Sequence, residues 1–449
     1  MTSTETLGAL QSQLPELEWV TSKVNIKRLS KDFYWFSPLL TPQLIDKKAD
    51  LVVRPKDETE LKALISVCVK LNIPMTVRGG GTGNYGQAVP LSGGLVIDMT
   101  LCTAFEWLCD GLVQVQAGMK IAALEEHARK RGWELRCMPS TYKAASIGGL
   151  FAGGFGGIGS INYGSIATSG TVQAIRVLTI EENPRVLELS GDELSTYHHT
   201  YGTNGILIDM QLALAPARNW SEYLLGFDSI ESAYAFCREL VDAAGIEKRE
   251  VSIYDSIAAS YFKELPIHLA SGQFLVMALV APHCHAPLTQ LCKAHGGNEL
   301  WCQRFEQANA SGLTLMEYCW NHSTLHALKH DKNYTNLQTN YDSDHVLEQL
   351  SQLEEQVGEE VLIHLEFVRT NNNQVLITGL PLVKYSTDER LLELINIHQS
   401  LGIKVNNSHT YILEDGKHGG VLSADILASK AANDPLSLLN PGKIKSLIQ

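Results

Sequence analysis

The sequence contains no Cys-x-x-Cys pair, although nine cysteines are spread along its 449 residues. Without that spacing neither a zinc site nor a dithiol redox motif is expected. The thiols lie mostly in apolar segments and read as buried and reduced, as in the cytoplasm. No apolar run reaches the ~20 residues that a transmembrane helix needs, so no transmembrane segment is expected. Basic charge is scarce too: 36 Lys and Arg stand against 49 Asp and Glu, a net charge of −13. That balance disfavours nucleic acid and anionic membranes as partners. Residues 1–20 carry Glu5, Glu16 and Glu18 but no basic residue, which argues against a signal or transit peptide. Internal repeats and low-complexity tracts are missing as well. What remains, 45% hydrophobic and 19% charged residues, suits a large core divided between two domains.

Glycine, by contrast, is concentrated. The run Arg78-Gly79-Gly80-Gly81-Thr82-Gly83-Asn84-Tyr85-Gly86 follows an apolar strand and precedes another, Gly94 to Met99. Such a loop lets backbone N–H groups converge on an anion and lets a ligand approach the main chain. It is not a Walker loop, and no helix pattern follows it as a Rossmann fingerprint requires. A pyrophosphate held between two strands fits better. A second glycine-rich stretch runs from Ser146 through Gly148, Gly149, Gly153 and Gly159 to Ser160, preceded by Pro139 and Ser140. A third block is Tyr201-Gly202-Thr203-Asn204-Gly205-Ile206, and a fourth is Leu439-Asn440-Pro441-Gly442-Lys443.

These four blocks, in this order, resemble the FAD-linked oxidases of the vanillyl-alcohol oxidase / p-cresol methylhydroxylase superfamily. Val53-Arg54-Pro55-Lys56-Asp57 fits the opening of their flavin domain. The resemblance covers residues 45–217 and the tail from about 405. It implies an α+β chain: a PCMH-type two-part FAD-binding domain with an inserted antiparallel sheet-plus-helices cap. The expected division is an N-terminal segment (1–44), the FAD-binding domain (45–217), a substrate cap (218–404) and a C-terminal return (405–449). Carried over residue by residue, Arg78, Gly79, Gly80, Gly81, Thr82, Gly83 and Asn84 hold the pyrophosphate. Pro139, Ser140, Gly148, Gly149, Gly153 and Ser160 lie along the dinucleotide. Ile206 gives backbone contacts, and Asn440 and Lys443 lie near the ring end. Several relatives attach FAD to a histidine after the glycine triplet. Thr82 stands there, and no cysteine stands in the second loop, so noncovalent FAD is expected.

Within the chain Asp57 is a plausible helix N-cap, with Glu60 three residues on. From Pro216 the pattern changes to strands at Tyr223–Phe227, Gln273–Val280, Val361–Val368 and Gln374–Leu380, with helices at Ile230–Ala244 and Arg390–Leu401. Twelve of the fifteen histidines lie beyond residue 225. His322 and His326 are four apart, on one face of a helix. His364 and Glu366 are two apart, on one face of a strand. His409 lies near the returning chain. A histidine is the natural base for a hydroxyl proton at neutral pH. The candidates are His322, His326, or His364 kept basic by Glu366, with His409 next. Arg369 and Lys384 are candidates for a substrate carboxylate. Relatives that oxidise D-lactate or D-2-hydroxyglutarate carry a Gly-His-x-Gly-Asp-Gly-Asn-x-His run for a metal. That run is missing, and no metal is expected. The resulting expectation is an FAD-dependent oxidoreductase that oxidises a CH–OH group of a small molecule, with 2-hydroxy acids among the candidates. Its acceptor, whether oxygen, a quinone or a protein, is not legible. A flavin reductase driven by NADPH and a non-catalytic flavin-binding subunit are the alternatives.

Overall fold

The computed structural model describes residues 4–417 and 419–447. Four sheets organise them. In the first, strands Leu51–Arg54, Leu95–Asp98 and Met75–Arg78 run parallel, and Glu18–Val20 from the N-terminal segment adds an antiparallel edge. A parallel pair needs a crossover. The helix Glu58–Lys70 provides it, and the Asp57 carboxylate accepts the Glu60 N–H at 2.9 Å as its cap. Leu61, Leu64, Ile65 and Cys68 of that helix are buried on the sheet. The tail returns here: Met75 N–H donates to Leu438 O, and Asn440 N–H donates to Met75 O.

A second, antiparallel sheet is built around the long strand Ile206–Pro216. The third sheet has eight antiparallel strands, in spatial order Asn298–Gln303, Ser221–Phe227, Phe274–Val280, Lys248–Asp255, His364–Arg369, Val375–Gly379, Gln338–Tyr341 and Lys404–Asn406. Helices Ile230–Asp242, Val346–Val357 and Asp388–Ser400 contribute buried residues to the large core cluster that this sheet shares. The expected strand over 361–368 is broken at Ile363, whose N–H bonds the Asp255 carboxylate. Val361–Leu362 therefore joins a separate three-stranded sheet.

The second glycine stretch differs from the open loop that was expected. Ile147–Gly153 is helical, with Ser146 Oγ accepting the Gly149 N–H, and Ser160–Tyr163 forms one further turn. That turn abuts the eight-stranded sheet: Gly159 N–H donates to Arg249 O at 2.9 Å. Arg249, 2% exposed, reaches Glu125 at 3.1 Å and Glu134 at 3.6 Å, so a buried ion cluster ties the two halves together.

Candidate functional site

A cavity of about 1170 Å³ opens between the two glycine stretches and the edge of the eight-stranded sheet. It is larger than the ~300–1,000 Å³ usual for a drug-sized ligand. Residues 79–84 all line it, as do Arg78, Pro139, Ser140, Gly148, Gly149 and Gly153. The loops are pressed together: a Cβ on Gly80 would stand 2.1 Å from Ala144 O. Gly81 has φ +64, and a Cβ there would lie 2.1 Å from the Arg78 guanidinium. Arg78 itself is fixed, with Nη1 donating to Lys31 O at 2.6 Å. The N-terminal segment braces the loop twice more, through Phe33 N–H to Gly83 O at 2.7 Å and Ala88 N–H to Asp32 at 3.2 Å.

This geometry fits a pyrophosphate. Among the described residues, no backbone N–H from Gly79 to Asn84 donates to a protein acceptor. Six consecutive free donors on a wall where Gly79, Gly80, Gly81 and Gly83 leave no room for a Cβ suit an anion cradle.

Four cofactor candidates stand behind the wall. Ser160 Oγ accepts the Gly157 N–H at 3.0 Å. Ile206 is fully buried between the lining residues Gly205 and Leu207. Asn440 donates to Gln87 O and Tyr201 O, and Lys443 to Gly86 O, so the tail props cavity residues from outside. Burial and the Asp32 charge act in opposite directions on Lys443, and burial prevails, lowering its pKa.

The histidine candidates are not brought together. His322 lines the cavity, with Nδ1 3.6 Å from Glu317, which also pairs with Lys143. Burial lowers its pKa, while Glu317 pulls the other way. His326 lies off the cavity. It stacks on Tyr318 at 4.4 Å, bonds Glu317 O at 3.0 Å, and burial pushes its pKa down to about 4. His364 is fully enclosed, held by Ser323 at 2.9 Å and Glu366 at 2.8 Å, and is pushed down to about 3 by burial. His409 bonds Ser37 at 2.8 Å behind the wall. Arg369 is spent on the carbonyls of Val241, Asn373 and Ile161, and Lys384 is exposed; neither lines the cavity.

Trp320 explains why Glu366 is hidden. Its backbone N–H donates to Glu366 at 2.7 Å and its indole N–H to Glu250 at 3.2 Å, while its ring lines the cavity beside Gly156. The two buried carboxyls face each other, and burial with mutual repulsion raises the pKa of Glu250 well above the usual range. Trp320 has φ +52, and two other cavity residues, His199 (φ +51) and Tyr201 (φ +55), share that costly conformation. Strain of this kind collects at functional sites.

Residues that motif reading missed complete the wall. Tyr85, His199 and Tyr201 form an aromatic cluster with centroids 5.3–6.5 Å apart. Lys417, Gln338, Asn340, Thr378, Asn406 and Asn407 line the cavity as well, and the Gln338 amide donates to the Tyr85 hydroxyl. The polar alternation Gln338-Thr339-Asn340 was the available signal. Among the described residues no cluster of three or more His, Cys, Asp or Glu is arranged to hold a metal.

Residues 49–190 match a family model described as an FAD binding domain. Over 220 residues the chain is 28% identical to the glycolate oxidase subunit GlcD of Escherichia coli (strain K12), covering 46% of this chain and 43% of that protein. It is 25% identical over 238 residues to a D-lactate dehydrogenase of Archaeoglobus fulgidus, covering 49% and 53%. The chain thus spans about half the length of these curated relatives. Its fold is that of a solved alkyldihydroxyacetonephosphate synthase, with a TM-score of 0.74, 15% identity, and coverage of 98% of this chain and 86% of the other. No helix among the described residues is long and apolar enough to cross a membrane.

Proposed function

From a chain that belongs to the PCMH-type FAD-binding flavoproteins, we propose an FAD-dependent oxidoreductase that oxidises a CH–OH group of a small molecule. The carrying observation is the row of free N–H groups from Gly79 to Asn84 on a cavity whose far wall belongs to the eight-stranded sheet. The loops hold the dinucleotide, and the sheet edge acts as the substrate cap. Bound there, the flavin supplies a hydride acceptor for the carbinol carbon. The protein supplies the rest. His322, the one of the four histidines expected as bases that lines the cavity among the described residues, takes the hydroxyl proton, and Glu317 steadies the imidazolium that forms. Trp320, pinned by Glu250 and Glu366, walls off water on that side. Lys417 replaces Arg369 and Lys384 as the group able to meet a carboxylate, as the substrates named for the relatives would require. Noncovalent attachment is supported by Thr82 after the glycine triplet and by the lack of cysteine among the described lining residues.

Anaerobic mixing with a panel of carbinol donors tests the reaction. Bleaching of the flavin by a carbinol, and not by NADPH alone, is the expected result; bleaching by NADPH alone rejects it. Since GlcD is named as a subunit, a larger oxidase assembly is a second reading, and copurification with a redox partner would favour it.

A further inference from the structure

We propose that the substrate is polyhydroxylated and is recognised by a neutral hydrogen-bonding patch on the last three strands of the eight-stranded sheet. The inference deepens the CH–OH reading above and rests on it. Strand Gln338–Tyr341 lies between Val375–Gly379 and Lys404–Asn406. The register sets Asn340 opposite Thr378 and Gln338 opposite Asn406. Alternation along a strand puts Gln338 and Asn340 on one face, while Thr339 and Tyr341 are buried on the other. All four side chains of the patch line the cavity.

Their hydrogen-bonding capacity is largely unspent. Among the described residues the amides of Asn340 and Asn406 have no partner. The Gln338 amide N–H donates to the Tyr85 hydroxyl, leaving its carbonyl oxygen free. Thr378 Oγ1 donates to Thr339 O at 3.0 Å and keeps its lone pairs. A carboxamide both donates and accepts, and so does an alcohol; a carboxylate only accepts and is matched best by a cation. The patch holds no cation. Lys404, opposite Asn340 in register, is exposed and not part of the lining. The one arginine on the lining, Arg78, is bonded to Lys31 O and Gly80 O. Lys143 is paired with Glu317, and Lys417 comes from another segment.

Neighbouring strands stand roughly 5 Å apart, and alternate residues on a strand roughly 7 Å apart. A single hydroxyl cannot satisfy amides so spaced. A chain of adjacent hydroxyl-bearing carbons can, with one carbinol left for oxidation. The hydroxyl chain occurs with and without a terminal carboxylate, in aldonates and alditols, and Lys417, a cation on the same lining, would tell them apart.

The test measures binding to the flavin-loaded protein by calorimetry under anaerobic conditions, with xylitol, gluconate and D-lactate as probes. Xylitol or gluconate should bind at least about tenfold tighter than D-lactate, equivalent to ~1.4 kcal/mol. Asn340→Leu and Asn406→Leu should each remove that preference while keeping the flavin content and the D-lactate affinity. A further gain for gluconate, abolished by Lys417→Met, assigns the acid form; equal affinities assign the neutral form. D-Lactate binding as tightly as both polyols overturns the proposal, and so does a preference that survives in both variants. Loss of flavin from the variants also overturns it, since the patch would then serve the cofactor. Binding is read apart from turnover. Polyols that bind without bleaching the flavin would reject the redox reading and leave this one standing.

Discussion

At the scale of single residues, the proposed reaction asks for small size at the loops and a proton acceptor near the substrate. Gly81 meets the first demand. Gly81→Val forces a β-branched residue to φ +64, against the Arg78 guanidinium. The variant should fold, by circular dichroism, yet purify without flavin; full flavin occupancy would show that the loop does not hold the cofactor. His322 meets the second. His322→Ala should slow flavin reduction by about 10²–10⁴-fold, the usual worth of a general base. His326→Ala should leave that rate nearly unchanged and lower stability instead, because its ring serves the Tyr318 stack. The pH profile follows from the sign of the shift. Burial holds the His322 pKa below its ordinary 6.5, so the neutral, proton-accepting form prevails at pH 7. Activity should fall only as pH drops below that value, and a limb centred above it would exclude His322. Spacing alone paired His322 with His326. It was silent on which member of an i, i+4 pair faces a cavity, because that depends on the helix's rotation against its neighbours.

At the scale of elements, the glycine blocks were legible because their chemistry is local. Four of the six residues from Gly79 to Asn84 are glycine, and a run that leaves the main chain bare is visible in consecutive residues. The helices within 146–163 were not, since Ser146 capping and contact with the eight-stranded sheet override the low helix propensity of glycine. The shared face of His364 and Glu366 was read correctly. Its cover was not, because Trp320 reaches Glu366 from 46 residues away in sequence. The joint between the halves shows the same limit: Arg249 meets Glu125 and Glu134, which lie 124 and 115 residues earlier. Arg249→Met leaves Arg129 as the one cation bridging the two buried carboxylates among the described residues. It should lower unfolding stability by about 3 kcal/mol, as for a broken buried pair. Urea titration followed by tryptophan fluorescence reads this, and an unchanged midpoint would mean that the cluster does not join the halves.

At the scale of the whole molecule, one cavity receives residues from nearly every part of the chain: Asp32 and Phe33 near the start, the glycine stretches, the sheet edge, and Lys417 near the end. No single motif could announce such a convergence. Burial also gives five histidines a common response to acid. His198 and His364 are pushed down to about 3, and His199, His326 and His409 to about 4. Each binds a proton near pH 6.5 when unfolded but not when folded. The stability they contribute is therefore complete above 6.5 and lost as pH falls toward 4. Asp32 and Asp255, raised to about 6 by burial, and Glu366, raised to about 7, act in the opposite sense, so the histidines are read individually: by NMR their rings should stay neutral in the folded protein down to about pH 5, and rings that titrate near 6.5 would be solvated.

FAD should lie between the two glycine stretches without a covalent bond. The visible spectrum of the purified protein, taken before and after acid precipitation, tests this most directly. It should show one flavin per chain, with all the colour passing into the supernatant as FAD. A protein that binds no flavin, or colour that stays with the pellet, would contradict it.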